Sequence, residues 1–368
     1  MKKARLAVCA AAHFCMDFAT IDYLYSVIAP QLYGAVPDAA GYSPYVYGTA
    51  LTAALVLAYD LCAFALQPFF GAWADQKNVA APVLFASLLI VALVDILAAA
   101  LGFTNVFAAA IAGLVLVSVA NAAFHVAAGA FVIADAERCA PLGIFVGTGA
   151  LGVALGKVLS SAAAFYVGLG CLVCAVSFFF VKAKGETMRP YYEKLRREKV
   201  QTEADVLPLV CLGVAVFLRG FCGTAAAGEF PSTSLTVVFL GAFAACGKIM
   251  GGFWADTVGI KAAIASFLPL GALLMCFGAQ SVALYAVGTL LFNTSMPVTL
   301  FMAIRALPRW RNAAFGMLAA LLMAGSVLAM WGAPSGYITL ALTFAGGAAI
   351  LFAEIKSKNK NLFEEGIL

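Results

Sequence analysis

The sequence has too little charge for a water-soluble protein. Only 11% of its 368 residues are charged and 64% are hydrophobic, whereas soluble domains are about 25% charged and roughly 45–50% apolar. Only two histidines occur, and the ten cysteines are scattered through apolar stretches, so we expect no metal and no cofactor. A phosphate-binding loop of the G-x-x-x-x-G-K-[ST] type is also missing, which argues against ATP as an energy source. The composition therefore predicts an integral membrane protein.

Twelve apolar runs are long enough to be membrane helices, because a bilayer core of about 30 Å needs roughly 20 apolar residues. They cover residues 5–32, 47–70, 79–101, 105–134, 142–160, 163–181, 205–227, 232–254, 260–280, 282–304, 312–331 and 335–354. The sequence thus predicts an all-α protein with twelve transmembrane helices. A polar linker at 183–204 divides an N-terminal six-helix bundle, 1–182, from a C-terminal bundle with a short tail, 205–368.

The distribution of basic residues predicts the orientation. With the N-terminus in the cytoplasm, the Lys and Arg residues gather at the inner face, while outward loops such as "YGAVPDAAGYSPYVYG" contain none. This is the pattern of the positive-inside rule, so we expect both termini to be cytoplasmic. The net charge of +4 then indicates contact with anionic lipid and does not indicate nucleic-acid binding.

One short phrase occurs twice. "GAWAD" at 71–75 ends the second predicted helix of the first half, and "GFWAD" at 252–256 ends the second helix of the second half. A weaker echo begins at Asn121 in helix four and at Asn293 in helix ten. Two halves with the same orientation form the parallel repeat that is typical of rocking transporters.

At these positions the sequence resembles the major facilitator superfamily, whose signature between helices two and three is G-x-x-x-D-(R/K)-x-G-(R/K)-(R/K). In that family the carboxylate bonds to the positive end of a helix in the other half and closes the inner side. The resemblance implies gating roles for the residues that match the signature: Gly71, Asp75, Gly252, Asp256, Gly259 and Lys261.

A narrower resemblance is to the fosmidomycin-resistance branch of the superfamily, whose members are drug-efflux antiporters. It is carried by "HFCMD" (13–17), "LQPFFGAWAD" (66–75) and the glycine-rich stretch from Phe124 to Gly156. The chain departs from that branch at Val126 and Lys157, where the branch has proline. The glycines of helix five are expected to pack closely against the opposite half. They lie at Gly143, Gly147, Gly149, Gly152 and Gly156.

Charged side chains inside a bilayer are costly, so each is a functional candidate. His13 and Asp17 lie one turn apart on helix one, and Asp60 lies in helix two; we predict that these three residues carry protons. Their alternative role is a structural pair that fixes helix one to helix four. The predicted substrate-binding residues are Asn121, His125, Lys157, Arg219 and Asn293. Arg219 offers a planar fork of donors to an anion, and its alternative role is a salt bridge to Asp17 or Glu229. Lys157 could instead extend its ammonium group to the membrane surface.

The remaining charged residues of the membrane region receive structural interpretations. Asp22, Asp95 and Glu229 lie near the outward ends of their helices and are expected to be solvated. Lys248 and Arg305 lie toward the cytoplasmic side, where gating or lipid contact is expected.

The predicted function is proton-coupled secondary transport of a small organic molecule, anionic or zwitterionic, by alternating access. The resemblance to efflux antiporters favours export from the cell through a bacterial-type cytoplasmic membrane, by a monomer. The alternative is uptake of an organic anion coupled to protons or sodium. An intramembrane enzyme or a non-transporting receptor is a more remote reading, because neither explains the repeat together with buried His, Asp and Arg residues. We expect no enzymatic activity.

Overall fold

The computed structural model describes residues 2–30, 44–101, 107–134, 136–159, 161–183, 206–226, 228–231, 233–332 and 334–364. Nearly all of the predicted linker, and most of the first predicted outward loop at 33–46, lie outside these residues.

The described residues form twelve helices, so the all-α prediction is confirmed. They are α1 (Lys2–Asp22, continued by a π-helix at Tyr23–Ile28), α2 (Pro44–Ala65 and Gln67–Gln76), α3 (Ala80–Leu101), α4 (Phe107–Ala134), α5 (Ala140–Gly156), α6 (Ser161–Ala183), α7 (Val206–Ala225), α8 (Ser234–Val258), α9 (Ile260–Phe277), α10 (Val282–Asn293 and Ser295–Ala306), α11 (Arg311–Ala329) and α12 (Gly336–Glu364). Ten of the twelve are long and apolar enough to cross a membrane. The other two, α5 and α6, contribute shorter apolar stretches at Ala140–Gly156 and Phe165–Phe180.

Two helices are interrupted, and a proline follows each interruption. Pro68 and Pro297 have no backbone N–H to donate to the preceding turn, and the helix is broken at Leu66 and at Thr294, respectively. At the first break the side-chain amide of Gln67 donates to the carbonyl of Ala63 at 2.9 Å. The side chain of Gln67 lies inside the bundle at this break and is 0% exposed.

Helix α5 lies between α1 and α8, and its glycines allow both contacts. A Cβ at Gly143 would lie 2.6 Å from the carbonyl oxygen of Lys248 on α8, and one at Gly156 would lie 2.6 Å from that of Phe18 on α1. The prediction that this glycine face packs on the opposite half is therefore only partly correct. Gly143 and Gly147 face α8, whereas Gly149, Gly152 and Gly156 face α1. This close packing brings the polar side chains of α1 beside those of α8.

Candidate functional site

Three titratable side chains meet between α1 and α4, and we call His13, Asp17 and His125 the buried triad. The two Nε2 atoms of the histidines are 2.8 Å apart. The carboxylate of Asp17 lies 3.2 Å from Nε2 of His13 and 3.4 Å from Nε2 of His125. None of the three residues is more than 8% exposed. The i,i+4 spacing on α1 placed the first two together, and the packing of α4 adds the third.

The hydrogen bonds of the triad determine where its protons lie. Nδ1 of His13 is 2.7 Å from the carbonyl oxygen of Phe145, and Nδ1 of His125 is 2.9 Å from that of Asn121. A carbonyl oxygen can only accept a hydrogen bond, so each Nδ1 carries a hydrogen. In two neutral imidazoles both Nε2 atoms would then present lone pairs to each other at 2.8 Å. The arrangement is favourable only when one additional proton lies on the histidine pair, beside the carboxylate of Asp17.

A second group of polar side chains extends the triad toward α2. The side-chain amide of Asn121 donates to Thr20 Oγ1 at 2.9 Å and to Tyr59 OH at 2.8 Å, and it lies 3.4 Å from the carboxylate of Asp17. Tyr59 in turn donates to Thr20 at 2.9 Å. These three residues are at most 4% exposed, so the hydrogen bonds among them fix the position of the Asn121 amide beside Asp17. Asn121 was predicted to bind substrate, but in this structure it supports the triad.

Two cavities share part of their walls, and the smaller one reaches the triad. The larger has a volume of about 500 Å³ and is lined by Lys157, Arg219, Lys248 and Asn293, together with uncharged residues of α7, α8 and α10. The smaller, about 160 Å³, reaches His13, Asp17 and His125. Arg219 and Lys248 line both cavities. The two cations therefore lie between the triad and the larger cavity.

Arg219 is free to bind a ligand. Its Nε atom is buried and has no hydrogen-bond partner among the described residues. Within the described part of the chain, neither alternative salt bridge of Arg219 is seen: the Glu229 carboxylate accepts a hydrogen bond from Gln280 at 3.3 Å, and the Asp17 carboxylate lies against His13 and His125. Asn293 donates to the carbonyl of Thr289 at 2.8 Å and lines the larger cavity, and its role in substrate binding stays a prediction.

Lys157 and Asp60 lie farther from the triad. Lys157 is exposed in the turn after α5 and contributes to the wall of the larger cavity. Asp60 is partly buried on α2 and interacts electrostatically with Lys157. The structure therefore does not bring Asp60 together with His13 and Asp17, the two residues with which it was grouped.

The repeated phrase forms two equivalent contacts, which we call the latches. In the first latch the carboxylate of Asp75, at the end of α2, accepts hydrogen bonds from the backbone N–H groups of Asn312 and Ala313 at 3.2 and 2.9 Å. The side chain of Asn312 adds a third at 2.9 Å. These donors lie in the first turn of α11, where the helix dipole favours a negative charge. Gly71 lies against the backbone of Asn312, so a larger side chain would separate the two helices.

The second latch repeats this arrangement between α8 and α5. Asp256 accepts hydrogen bonds from the backbone N–H groups of Cys139 and Ala140 at 2.8 and 2.9 Å. A Cβ at Gly252 would lie 2.8 Å from the Cα of Ala140. Each repeated phrase thus provides a carboxylate and, four residues earlier, the glycine that allows it to reach a helix of the other half.

The other two residues of the matched signature lie in the following turn. Gly259 has φ +87°, a conformation that favours glycine, and separates α8 from α9. Lys261 is exposed in the first turn of α9.

Three charged residues lie elsewhere than predicted. Lys248 was placed near the cytoplasmic side, but it lines both cavities. Asp22 and Asp95 were expected to be solvated, yet both are 0% exposed. Asp22 accepts a hydrogen bond from Ser26 at 2.8 Å, and neither carboxylate oxygen of Asp95 has a hydrogen-bond partner among the described residues. Neighbouring helices cover the predicted outward ends: in α6, a Cβ at Gly168 would lie 3.5 Å from that of Asp95.

The ligand atoms of the triad lie within 4.8 Å of one another, a spacing that a small metal site would also have. Two cations, Arg219 and Lys248, line the same cavity, and they oppose the entry of a divalent cation.

Comparison with solved structures identifies the fold. The sequence matches no protein-family model and no curated protein. The structure is similar to the major facilitator superfamily transporter FucP in the outward conformation, with a TM-score of 0.60, 11% identity and coverage of 95% of this chain and 98% of that one. It is similar to the human organic anion transporter MFSD10 (TETRAN), with a TM-score of 0.62, 15% identity and coverage of 95% and 99%. It is also similar to a variant of the E. coli fucose:proton symporter FucP, with a TM-score of 0.61, 12% identity and coverage of 95% of this chain and 98% of that one. The chain therefore has the fold of the major facilitator superfamily transporters over nearly its whole length.

Proposed function

We propose that this protein is a proton-coupled secondary transporter that moves a small organic anion across a membrane by alternating access. The observation that carries the proposal is the buried triad, whose two histidines require a shared proton at the edge of a cavity lined by cations. The fold supports a transporter, since the similar solved structures are transporters.

The triad supplies a binding site for one proton. With the proton on the histidine pair, the positive imidazolium and the negative Asp17 carboxylate cancel. When the proton leaves, a net negative charge remains in a site of low dielectric, and the lone pairs of His13 and His125 repel each other at 2.8 Å. Both effects favour a rearrangement of α1 against α4, so protonation can bias the conformation of the protein. Asp60 remains a second candidate for proton transfer.

The latches supply the gate. We propose that bundles 1–182 and 205–368, twelve crossings in total with both termini in the cytoplasm, rock against each other about the cavity. Asp75 and Asp256 each bond to a helix of the opposite bundle, so both contacts must break when the cytoplasmic side opens. With both latches formed, the structure corresponds to a state that is closed on that side. In this proposal Gly71 and Gly252 allow the close approach, and Gly259 and Lys261 form the adjoining turn.

Cations around the cavity indicate the substrate. Arg219, Lys248 and Lys157 line it together with Asn293, and these groups suit an anionic molecule or the anionic group of a zwitterion. The resemblance to efflux antiporters favours export through a bacterial cytoplasmic membrane, by a monomer. Uptake of an anion together with protons is the second candidate, and the charges beside the triad favour it.

The experiment is proton flux in proteoliposomes that contain a trapped pH indicator, measured against a panel of small anions and cationic drugs. We expect one class of compound to drive proton movement, and we expect Asp17→Asn and His13→Asn to abolish it. Glu229→Gln is the matched control, because this carboxylate is exposed and hydrogen-bonds only to Gln280 among the described residues. The sign of the flux separates export from uptake, and replacement of sodium tests the alternative ion. Proton flux that persists in Asp17→Asn would contradict the role of the triad. Loss of flux in Asp60→Asn alone would show that Asp60 on α2 carries the proton instead.

A further inference from the structure

Arg219 and Lys248 lie in the wall that the two cavities share, and they are close enough to interact electrostatically. Within the described part of the chain, no Asp or Glu lines the larger cavity. The carboxylate of the smaller cavity is Asp17, which is already engaged by His13 and His125. Lys157 is also part of that wall, where it interacts electrostatically with Asp60. Apart from Lys157, the larger cavity therefore presents two positive charges that no carboxylate of the described residues neutralises.

We infer that Arg219 and Lys248 together bind a small dianion in the larger cavity, and that the dianion binds most tightly while the triad holds its proton. The inference rests on the proposed transport function and specifies both its substrate class and the sign of its coupling.

The choice of a dianion follows from the charges of the site. A monoanion leaves one of the two cations without a partner inside the membrane, where an unpaired charge is costly. A zwitterion would add a third positive group beside Arg219 and Lys248. A dianion neutralises both: the guanidinium of Arg219 can bind one acidic group with two parallel hydrogen bonds, and Lys248 acts on the other as a point charge. The lining also includes Leu240, Met275 and Phe292, so a short apolar body between the acidic groups would be accommodated.

The coupling follows from the position of Lys248. It interacts electrostatically with Asp17 as well as with Arg219. The other titratable groups that face the triad are Tyr59 on α2 and Arg219 on α7; Asp60, also on α2, interacts with Tyr59.

While the triad holds its proton it is neutral overall, and the two cations are available to the substrate. When the proton leaves, the negative triad attracts Lys248 and Arg219 and competes with the dianion. Proton and dianion therefore assist each other's binding, and this mutual assistance is reciprocal. A carrier of this kind moves the proton and the anion in the same direction, which favours uptake over exchange.

The charge requirement is tested with three ligands of equal chain length: succinate, butyrate and 4-aminobutyrate. Their binding to the purified protein in neutral detergent is measured by the shift in thermal unfolding, at a pH where both carboxylates of succinate are ionised. We expect succinate to bind at least about tenfold more tightly than butyrate, a difference of about 1.4 kcal/mol, and 4-aminobutyrate to bind most weakly. Arg219→Gln and Lys248→Gln should each remove the preference for succinate, and Lys356→Gln, an exposed lysine of α12 outside both cavities, should preserve it. Equal binding of succinate and butyrate, or no binding of any ligand to folded protein, would overturn the inference of a dianion.

The coupling is tested by following the pH of a weakly buffered solution while succinate is added. We expect the wild-type protein to take up protons as succinate binds, and Asp17→Asn to bind succinate without proton uptake. Proton release would show that the ligand exchanges with the proton, and no change would show that the two sites are independent; either result overturns the cooperative coupling. These measurements need no transport, so failure of the dianion inference is distinguishable from failure of proton flux in proteoliposomes.

Discussion

Replacement of Asp256 by asparagine tests whether the latches hold the protein closed. In the closed state the carboxylate accepts two backbone hydrogen bonds, from Cys139 at 2.8 Å and from Ala140 at 2.9 Å. The asparagine side chain would keep one acceptor oxygen but would lose the charge and the second acceptor. The open state has neither contact, so the substitution raises the free energy of the closed state alone.

The expected size follows from the geometry. A hydrogen bond to a charged group contributes about 1.5–3 kcal/mol, and the attraction of a carboxylate to a helix N-terminus about 0.3–1 kcal/mol at exposed positions. Asp256 is partly exposed, which reduces both contributions through solvent screening. After allowing for the one hydrogen bond that asparagine retains, we expect a loss of about 2 kcal/mol, or a roughly 30-fold rise in the ratio of open to closed protein.

Cys139 provides a natural reporter for this opening. It is 2% exposed beside Asp256 in the closed state, and its thiol is free. In a variant whose other cysteines are replaced by alanine, reconstituted in nanodiscs, the rate of maleimide labelling at Cys139 measures the open population. The rate should rise roughly 30-fold in Asp256→Asn, as long as opening and closing are faster than labelling.

The matched control is Thr257→Ala. Thr257 is the next residue and is exposed, and among the described residues its hydroxyl bonds only within its own helix, to Phe253 and Trp254. Its replacement should leave the labelling rate unchanged. Equal rates in wild type and Asp256→Asn, or equal increases in both variants, would refute the argument that the carboxylate holds the gate.

Two further predictions concern the first latch and the support of the triad. Asn312→Ala removes one of the three hydrogen bonds to Asp75, so the rate of labelling at Cys139 should increase. The increase should be smaller than in Asp75→Asn, because that substitution removes the charge of the carboxylate. Equal labelling rates in the two variants would contradict this ranking. Tyr59→Phe deletes a hydroxyl that bonds to Thr20 and Asn121. Because the buried amide of Asn121 is then left unsatisfied, we expect a destabilisation of about 1–3 kcal/mol, visible as a lower midpoint of thermal unfolding. Substrate-driven proton flux should be reduced but not abolished. An unchanged midpoint would show that the amide of Asn121 finds other partners.

The helices were predictable because each one is an apolar run whose length matches the bilayer, and local sequence alone determines that property. The latches were predictable for a different reason: the phrase occurs twice at matched positions, and a carboxylate at a helix end has few partners other than a helix N-terminus. The pairing of His13 with Asp17 follows from their spacing on one helix. In each case the information lies within one helix or within one repeated phrase.

What depends on packing between distant helices was missed or only partly predicted. The predicted eighth helix ended at 254, whereas α8 extends to Val258, so Lys248 was placed about six residues from the helix end instead of ten. At about 1.5 Å per residue, this moves its Cα roughly 6 Å deeper, to the level of the cavity. Thr20 and Tyr59 gave no signal, because a threonine and a tyrosine in apolar helices are ordinary residues until a third side chain such as Asn121 meets them.

The division of charge between the two halves has a consequence for coupling. The proton-binding side chains lie on α1 and α4, with their support on α2, whereas the two cations of the cavity lie on α7 and α8. If the halves rock as proposed, the distance between the triad and Lys248 must differ between the outward-open and inward-open states. The electrostatic assistance between proton and substrate then varies during the cycle: it is strongest where α5, through Gly143 and Gly156, holds α8 against α1, and weaker where this packing loosens. Such a carrier binds both ligands together on one side and releases both on the other, with no conformational signal beyond the changed separation of the charges.

A larger residue at Gly143 would keep α5 and α8 apart, so Gly143→Val should weaken the proton uptake that accompanies succinate binding while leaving Arg219 and Lys248 in place. Unaltered proton uptake in that variant would show that the coupling does not depend on the contact between the halves.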